Sequence, residues 1–203
     1  MPELIIGTTN PAKVEQIRGA LRPLGITVSG LDKNINLPKI KEDGATAEVN
    51  ACEKALAYAR ALGQPVLSMD NALYLDGLSP EKQPGVHVRR INKDNVRASD
   101  KEVLAYYSSL IDSFGGRING EWHFALCFAT PEGETQETTI ISPRIFVSQP
   151  SSNIIPGYPL ESIQIDPNSG RYVSDLSLED QDIYWQKAIG EPLMAFVKTL
   201  KIN

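Results

Sequence analysis

The sequence predicts an α/β fold, a mixed β-sheet with helices on its faces. Three observations carry that prediction. Apolar residues recur at helical spacing in several separate stretches, short apolar or alternating runs lie between them, and Gly, Pro and Asn punctuate the junctions. Strand and helix alternate through the first third of the chain, as expected for strands joined by crossover helices.

Residues 3–7 read as a strand. Asn10 is a good N-cap and Pro11 a good first-turn residue. Val14, Ile17, Leu21 and Leu24 then recur at helical spacing, and Pro23-Leu24-Gly25 closes the helix. Residues 26–29 are a short strand candidate, followed by the polar loop LDKNINLPKIKEDG. The alanine-rich stretch from Thr46 to Leu62 is strongly helical and ends at Gly63 and Pro65. Pro65 to Met69 reads as a buried strand that delivers Asp70 at its end, with ALYLDGL as a continuation or a hairpin arm. Ser99-Asp100-Lys101-Glu102 is a capping box, opening a helix whose apolar face holds Val103, Leu104, Tyr107, Leu110, Ile111 and Phe114. GEWHFALCFATPEGE and TQETTIISPRIFVS read as the arms of a hairpin. Residues 149–175 are expected to be the least structured part, and a last helix is predicted from about Pro192 to Leu200.

The chain has 203 residues, 41% of them apolar and 22% charged, so a single domain over 1–203 is expected. A net charge of -5 weighs against nucleic acid or a membrane surface as partner, since both call for a basic face. No stretch approaches the roughly 18 apolar residues of a membrane span. The start MPELII lacks the basic region of a signal peptide. Cys52 and Cys127 have no C-x-x-C spacing and are expected to be buried free thiols, which suits a reducing compartment. The expected location is the cytoplasm.

Three stretches gather groups that suit chemistry on an anion. Thr8, Thr9, Asn10 and Lys13 collect where a strand feeds a helix N-terminus, a place that offers free N–H groups and a positive dipole end. A phosphate is the natural guest, although a simple N-cap with a solvated lysine has the same residues, and no Walker A loop is present. Glu48 lies in the first turn of the next helix, with Asn50 and Lys54 sharing a face four residues apart. Asp70 follows an apolar run; with Glu48 it could hold Mg²⁺, which favours a few carboxylates plus phosphate and water. Glu48 and Lys54 are equally ordinary helix-surface residues, and Asp70-Asn71 equally a turn pair.

Taken together, these stretches resemble the pyrophosphatases of non-standard purine nucleoside triphosphates, the Ham1 or inosine triphosphatase family. Thr8-Thr9-Asn10-Pro11-Ala12-Lys13 is similar to that family's [ST]-G-N-x-x-K, and Thr46-Ala47-Glu48-Val49-Asn50-Ala51-Cys52-Glu53-Lys54-Ala55 to T-F-E-E-N-A-x-x-K-A. Ser68 to Leu78 is similar to A-D-D-S-G-L-x-V-D-A-L, and PGVHVRRI to P-G-V-Y-S-A-R-Y. The resemblance covers roughly residues 3–133. It implies a long twisted mixed sheet in two lobes with a central cleft, a homodimer, and hydrolysis of a deaminated purine triphosphate such as ITP, dITP or XTP to monophosphate and pyrophosphate. It further implies that Thr8, Thr9, Asn10, Lys13 and Lys54 hold the triphosphate, that Glu48 and Asp70 hold Mg²⁺, and that Asp70 activates water.

The chain departs from the family at defined places. Met69 replaces the first aspartate of the D-D pair. The segment G-[FW]-G-[YW]-D-P becomes PGYPLESI, with Glu161 the nearest carboxylate. Trp185-Gln186-Lys187 stands where S-H-R is expected, and Gln181 where a lysine is expected. The phosphate and metal half is therefore kept and the base-reading half rewritten. A nucleotide-binding protein of the same fold that has lost hydrolysis is the alternative reading.

Overall fold

In the computed structural model, residues 3–32, 35–91 and 97–202 are described. Glu3–Ile6 (β1) is followed by the helix Pro11–Leu21 (α1) and the strand Thr27–Gly30 (β2), which pairs in parallel with β1 in the register Glu3↔Thr27 to Ile6↔Gly30. A parallel pair needs a crossover, and α1 supplies it. Ala47–Leu62 (α2) makes the next crossover. Thr46 caps it by accepting from the Val49 N–H, and Gly63 closes it with a positive φ.

Val66–Leu75 (β3) pairs in parallel with β1 at Ile5↔Val66 and Ile6↔Leu67. It runs on past Asp70, so that residue stands within the strand and not at its end. The reason is local. Ala72, Leu73 and Leu75 stay buried, which keeps the chain extended, while β1 stops at Ile6 and leaves the next part of β3 without that neighbour. Gly7 completes the junction, donating its N–H to the Leu67 carbonyl at 2.8 Å and accepting from the Ser68 hydroxyl at 3.2 Å.

Arg117–Ala129 (β4) and Thr135–Val147 (β5) form the predicted hairpin, and Gln164–Ile165 (β6) pairs antiparallel with β5. The sheet order is β2-β1-β3-β4-β5-β6, a mixed sheet with flanking helices as expected.

The chain divides into two compact units. The first holds residues up to Asn71, His123–Ile140 and the segment from Trp185 onward. Its core includes Leu4, Ile6, Ile17, Leu67, Met69 and Leu193. The second holds Ala72–Trp122 and Ile141–Tyr184. There the helix Asp100–Asp112 (α3), opened by the Ser99–Glu102 capping box, buries Val103, Tyr107 and Ile111 against Leu73, Phe146 and Ile163.

Two stretches differ from expectation. Residues 149–175 lack long elements yet are well packed. Short 3₁₀ turns at Pro159–Ile163 and Val173–Asp175 bury Leu160, Ile163 and Val173, and Ser151 donates to Asp175 at 2.6 Å. The C-terminal helical run begins well before Pro192: Leu178–Trp185 (α4), a π-helical turn at Gln186–Gly190 and Glu191–Val197 (α5) are consecutive. Leu178 is 84% exposed, so α4 has no apolar stripe to announce it. No helix among the described residues is long and apolar enough to cross a membrane.

Candidate functional site

In the first unit, Asp70 projects where β3 has lost β1 as a neighbour, and α2 supplies the groups that meet it. The spacing of Asn50 and Lys54 puts both on one face of the helix, and the structure aims both at the same carboxylate. Asn50 Nδ2 donates to Asp70 Oδ2 at 2.9 Å, and Lys54 Nζ to Asp70 Oδ1 at 3.0 Å. Asn50 is itself held, since its Oδ1 accepts the Gly44 N–H at 2.9 Å. Asn50, Lys54 and Asp70 are all buried.

Lys13, in the first turns of α1, joins them. Its Nζ lies 4.0 Å from Asp70 Oδ1 and 3.4 Å from the Met69 carbonyl, which Lys54 also reaches at 3.4 Å. Two ammonium groups thus converge on one carbonyl and one carboxylate. Glu42, from the polar loop before α2, comes within 3.6 Å of Lys54. Nothing in the sequence pattern singles out Glu42, which sits in an unpatterned run of charge. Asn50 is legible as the facing partner of Lys54, but its grip on Asp70 needs the fold.

In the opening loop, Thr8 is half-buried and its Oγ1 accepts the Asn10 N–H at 3.2 Å, while Thr9 and Asn10 are exposed ahead of α1. The structure therefore brings the loop's lysine, Lys54 and Asp70 together and leaves Thr9 and Asn10 facing solvent.

Glu48 has a different setting. Successive helix residues turn by about 100°, so Glu48 and Asn50 lie on nearly opposite sides of α2. The Glu48 carboxylate accepts from Thr139 Oγ1 of β5 at 2.9 Å. Burial raises its pKa, but bonds from its own backbone N–H, Thr139 and Thr46, with His123 nearby, outweigh this and leave it below the usual range. Met69 is 1% exposed: successive strand residues point to opposite faces, so the position beside Asp70 faces the core. That explains why an apolar side chain is accommodated there.

In the second unit, Glu161 is buried with Arg144 for company. Burial pushes its pKa up to about 7, against the opposing pull of the Arg144 guanidinium. Arg144 in turn lies over the Tyr184 ring, 5.0 Å from its centroid.

The Ham1 family profile matches residues 4–147. A dITP/XTP pyrophosphatase of an Exiguobacterium species is 37% identical over 135 residues, covering 66% of this chain and 65% of that relative's length. A dITP/XTP pyrophosphatase of Thermus thermophilus is 28% identical over 201 residues, covering 98% and 92%. Among solved structures, a HAM1 protein from Coxiella burnetii superposes with a TM-score of 0.78 at 20% identity, covering 98% of this chain and all of that one, so the fold is shared. The match extends beyond the opening motifs to the end of β5, and this chain belongs to the Ham1 family.

Proposed function

We propose that the protein hydrolyses a deaminated or modified purine nucleoside triphosphate to the monophosphate and pyrophosphate. The observation that carries this reading is the convergence of Lys13, Lys54 and Asn50 on Asp70 beside the N-terminus of α1. The names of the Exiguobacterium and Thermus relatives support the substrate class.

In the proposed reaction, water adds to the α-phosphorus, the α–β anhydride bond breaks, and pyrophosphate leaves. Such displacements depend on charge neutralisation and alignment more than on covalent help. Lys13 and Lys54 offset phosphate charge, with the α1 N-terminus and the hydroxyls of Thr8 and Thr9 completing the cradle around Asn10. Asn50 fixes the Asp70 carboxylate through Oδ2. Transfer of the Lys54 ammonium from Oδ1 to a phosphate oxygen then leaves that carboxylate oxygen to take the proton of the attacking water.

The donor set fits a hard divalent cation in kind, since Glu48 and Asp70 are carboxylates and Glu48 is kept acidic by its hydrogen bonds. The two are not a ready-made pair, because Asn50 and Lys54 engage both Asp70 oxygens while Thr139 engages Glu48. Mg²⁺ is the proposed cation, to be held by Glu48 and Asp70; bound there it would neutralise charge on the phosphates. We further propose a cytoplasmic location, which suits two free thiols, and no nucleic-acid or membrane partner, which suits a net charge of -5; a homodimer of single-domain chains is proposed from the family resemblance and the 203-residue length.

The test is pyrophosphate release with Mg²⁺ from ITP, dITP and XTP against ATP and GTP. Release from the deaminated purines at higher kcat/KM is expected. No pyrophosphate from any of the five, together with thermal stabilisation by a triphosphate, would replace this reading with a binding protein.

A further inference from the structure

The face of α2 turned away from Asn50 carries Cys52, one helical turn after Glu48. It meets Cys127 of β4 and Glu137 of β5. One ligand atom from each of the three lies within 4.8 Å of the others. Cys127 is buried, Cys52 half-buried and Glu137 exposed, so the cluster runs from the core to the surface of the first unit. The cysteines are 75 positions apart in sequence, and only the packing of α2 on the hairpin brings them together.

We propose that Cys52, Cys127 and Glu137 form a binding site for a thiophilic divalent cation of the Zn²⁺ class, separate from the Asp70 cluster. Two thiolates at about 2.3 Å from a tetrahedral ion stand about 3.8 Å apart, so the observed spacing needs to close by less than about 1 Å. Two sulfurs and one carboxylate are the donor mixture that selects such an ion over Mg²⁺. Glu137 is the exposed member of the three, so the cluster reaches solvent on that side. Glu137 accepts from Thr135 at 3.3 Å and from the Cys52 thiol, so the carboxylate already faces the sulfur with which it would share an ion.

Binding exchanges the proton of each thiol for the ion, and the protons pass to solvent. No electron transfer is involved. Occupancy ties α2 to β4 and β5, and α2 also carries Asn50 and Lys54.

The experiment is titration of the reduced full-length protein with Co²⁺, then displacement by Zn²⁺. A thiolate-to-cobalt charge-transfer band saturating at one ion per chain is expected, bleached by Zn²⁺. Oxygen-only binding at Glu48 and Asp70 gives no such band, so failure here is distinct from failure of the catalytic reading. Cys127→Ser tests the buried ligand. Cys52→Ala and Glu137→Gln, at less buried positions, keep the test valid if that variant misfolds. Cys52→Ala should abolish the band and Glu137→Gln weaken binding at least about tenfold. Absence of the band, or its persistence in Cys52→Ala, overturns the proposal.

Discussion

Lys54 Nζ lies 3.0 Å from Asp70 Oδ1, with the two side chains only 6% and 10% exposed. Breaking a buried pair by removing one partner strands the other in low dielectric, at a typical cost of about 3–5 kcal/mol. Here the surroundings soften that cost, because Lys13 stands near Asp70 and Glu42 near Lys54.

Asp70→Asn should lower kcat by about 10²–10⁴-fold, the range expected for a lost general base. The amide keeps the shape of the side chain, so the melting transition should stay cooperative. Pyrophosphate release and a thermal melt on the same sample check both statements. Wild-type turnover would remove Asp70 from the proposed chemistry.

Lys13→Ala should act mainly on binding. A charge-assisted contact to phosphate is stronger than a neutral hydrogen bond, about 1.5–3 kcal/mol. KM for the triphosphate is therefore expected to rise roughly 10- to 100-fold with kcat less affected. An unchanged KM would detach the opening loop from the site.

Asn50→Ala leaves Asp70 Oδ2 and the Gly44 N–H without their partner. Each such group costs about 1–3 kcal/mol if it stays dry. The urea midpoint should fall accordingly, and kcat should fall with it, since the carboxylate loses its orientation. Asn50→Asp places a second carboxylate against Asp70 and should be worse on both measures.

Glu161 gives a pH prediction with a definite sign. Its folded-state pKa, about 7, is above the ordinary 4.5, so the folded protein holds that proton more tightly than the unfolded chain. The associated stability is fully present below about pH 4.5 and is lost as the pH rises through about 7. At about 1.4 kcal/mol per pH unit the loss reaches roughly 3 kcal/mol. Glu161→Gln should remove this dependence, so urea unfolding from pH 4.5 to 8 should show the variant gaining on wild type as the pH rises.

The elements that sequence pattern makes legible are those with a repeating physical signal. The capping box at Ser99, the alanine-rich α2 and the hairpin of β4 and β5 all have one, and all form close to the expected positions. Asp70 reads as a strand end because a turn pair and a strand interior share the residues Asp-Asn; only the early stop of β1 explains a carboxylate within β3. The segment 149–175 packs through proline turns and side-chain bonds, which leave no period to read. In the site, Lys13, Lys54 and Asp70 are each legible as candidates from their stretches, and the fold brings them together. The turning of Glu48 toward Thr139 depends on which face of α2 meets β5, a tertiary fact with no local trace.

The junction at Gly7 has a consequence for what variation the chain tolerates. A methyl group there would run into the Ser68 hydroxyl and stand 2.7 Å from Val66 Cγ1 and 3.1 Å from Tyr58 Cδ2, whereas at Gly19 it would meet nothing within 4 Å. Two glycines twelve positions apart therefore face opposite fates under random substitution. Position 19 is open to drift, while position 7 is closed even to alanine, because it sets the gap between the end of β1 and the strand that carries Asp70.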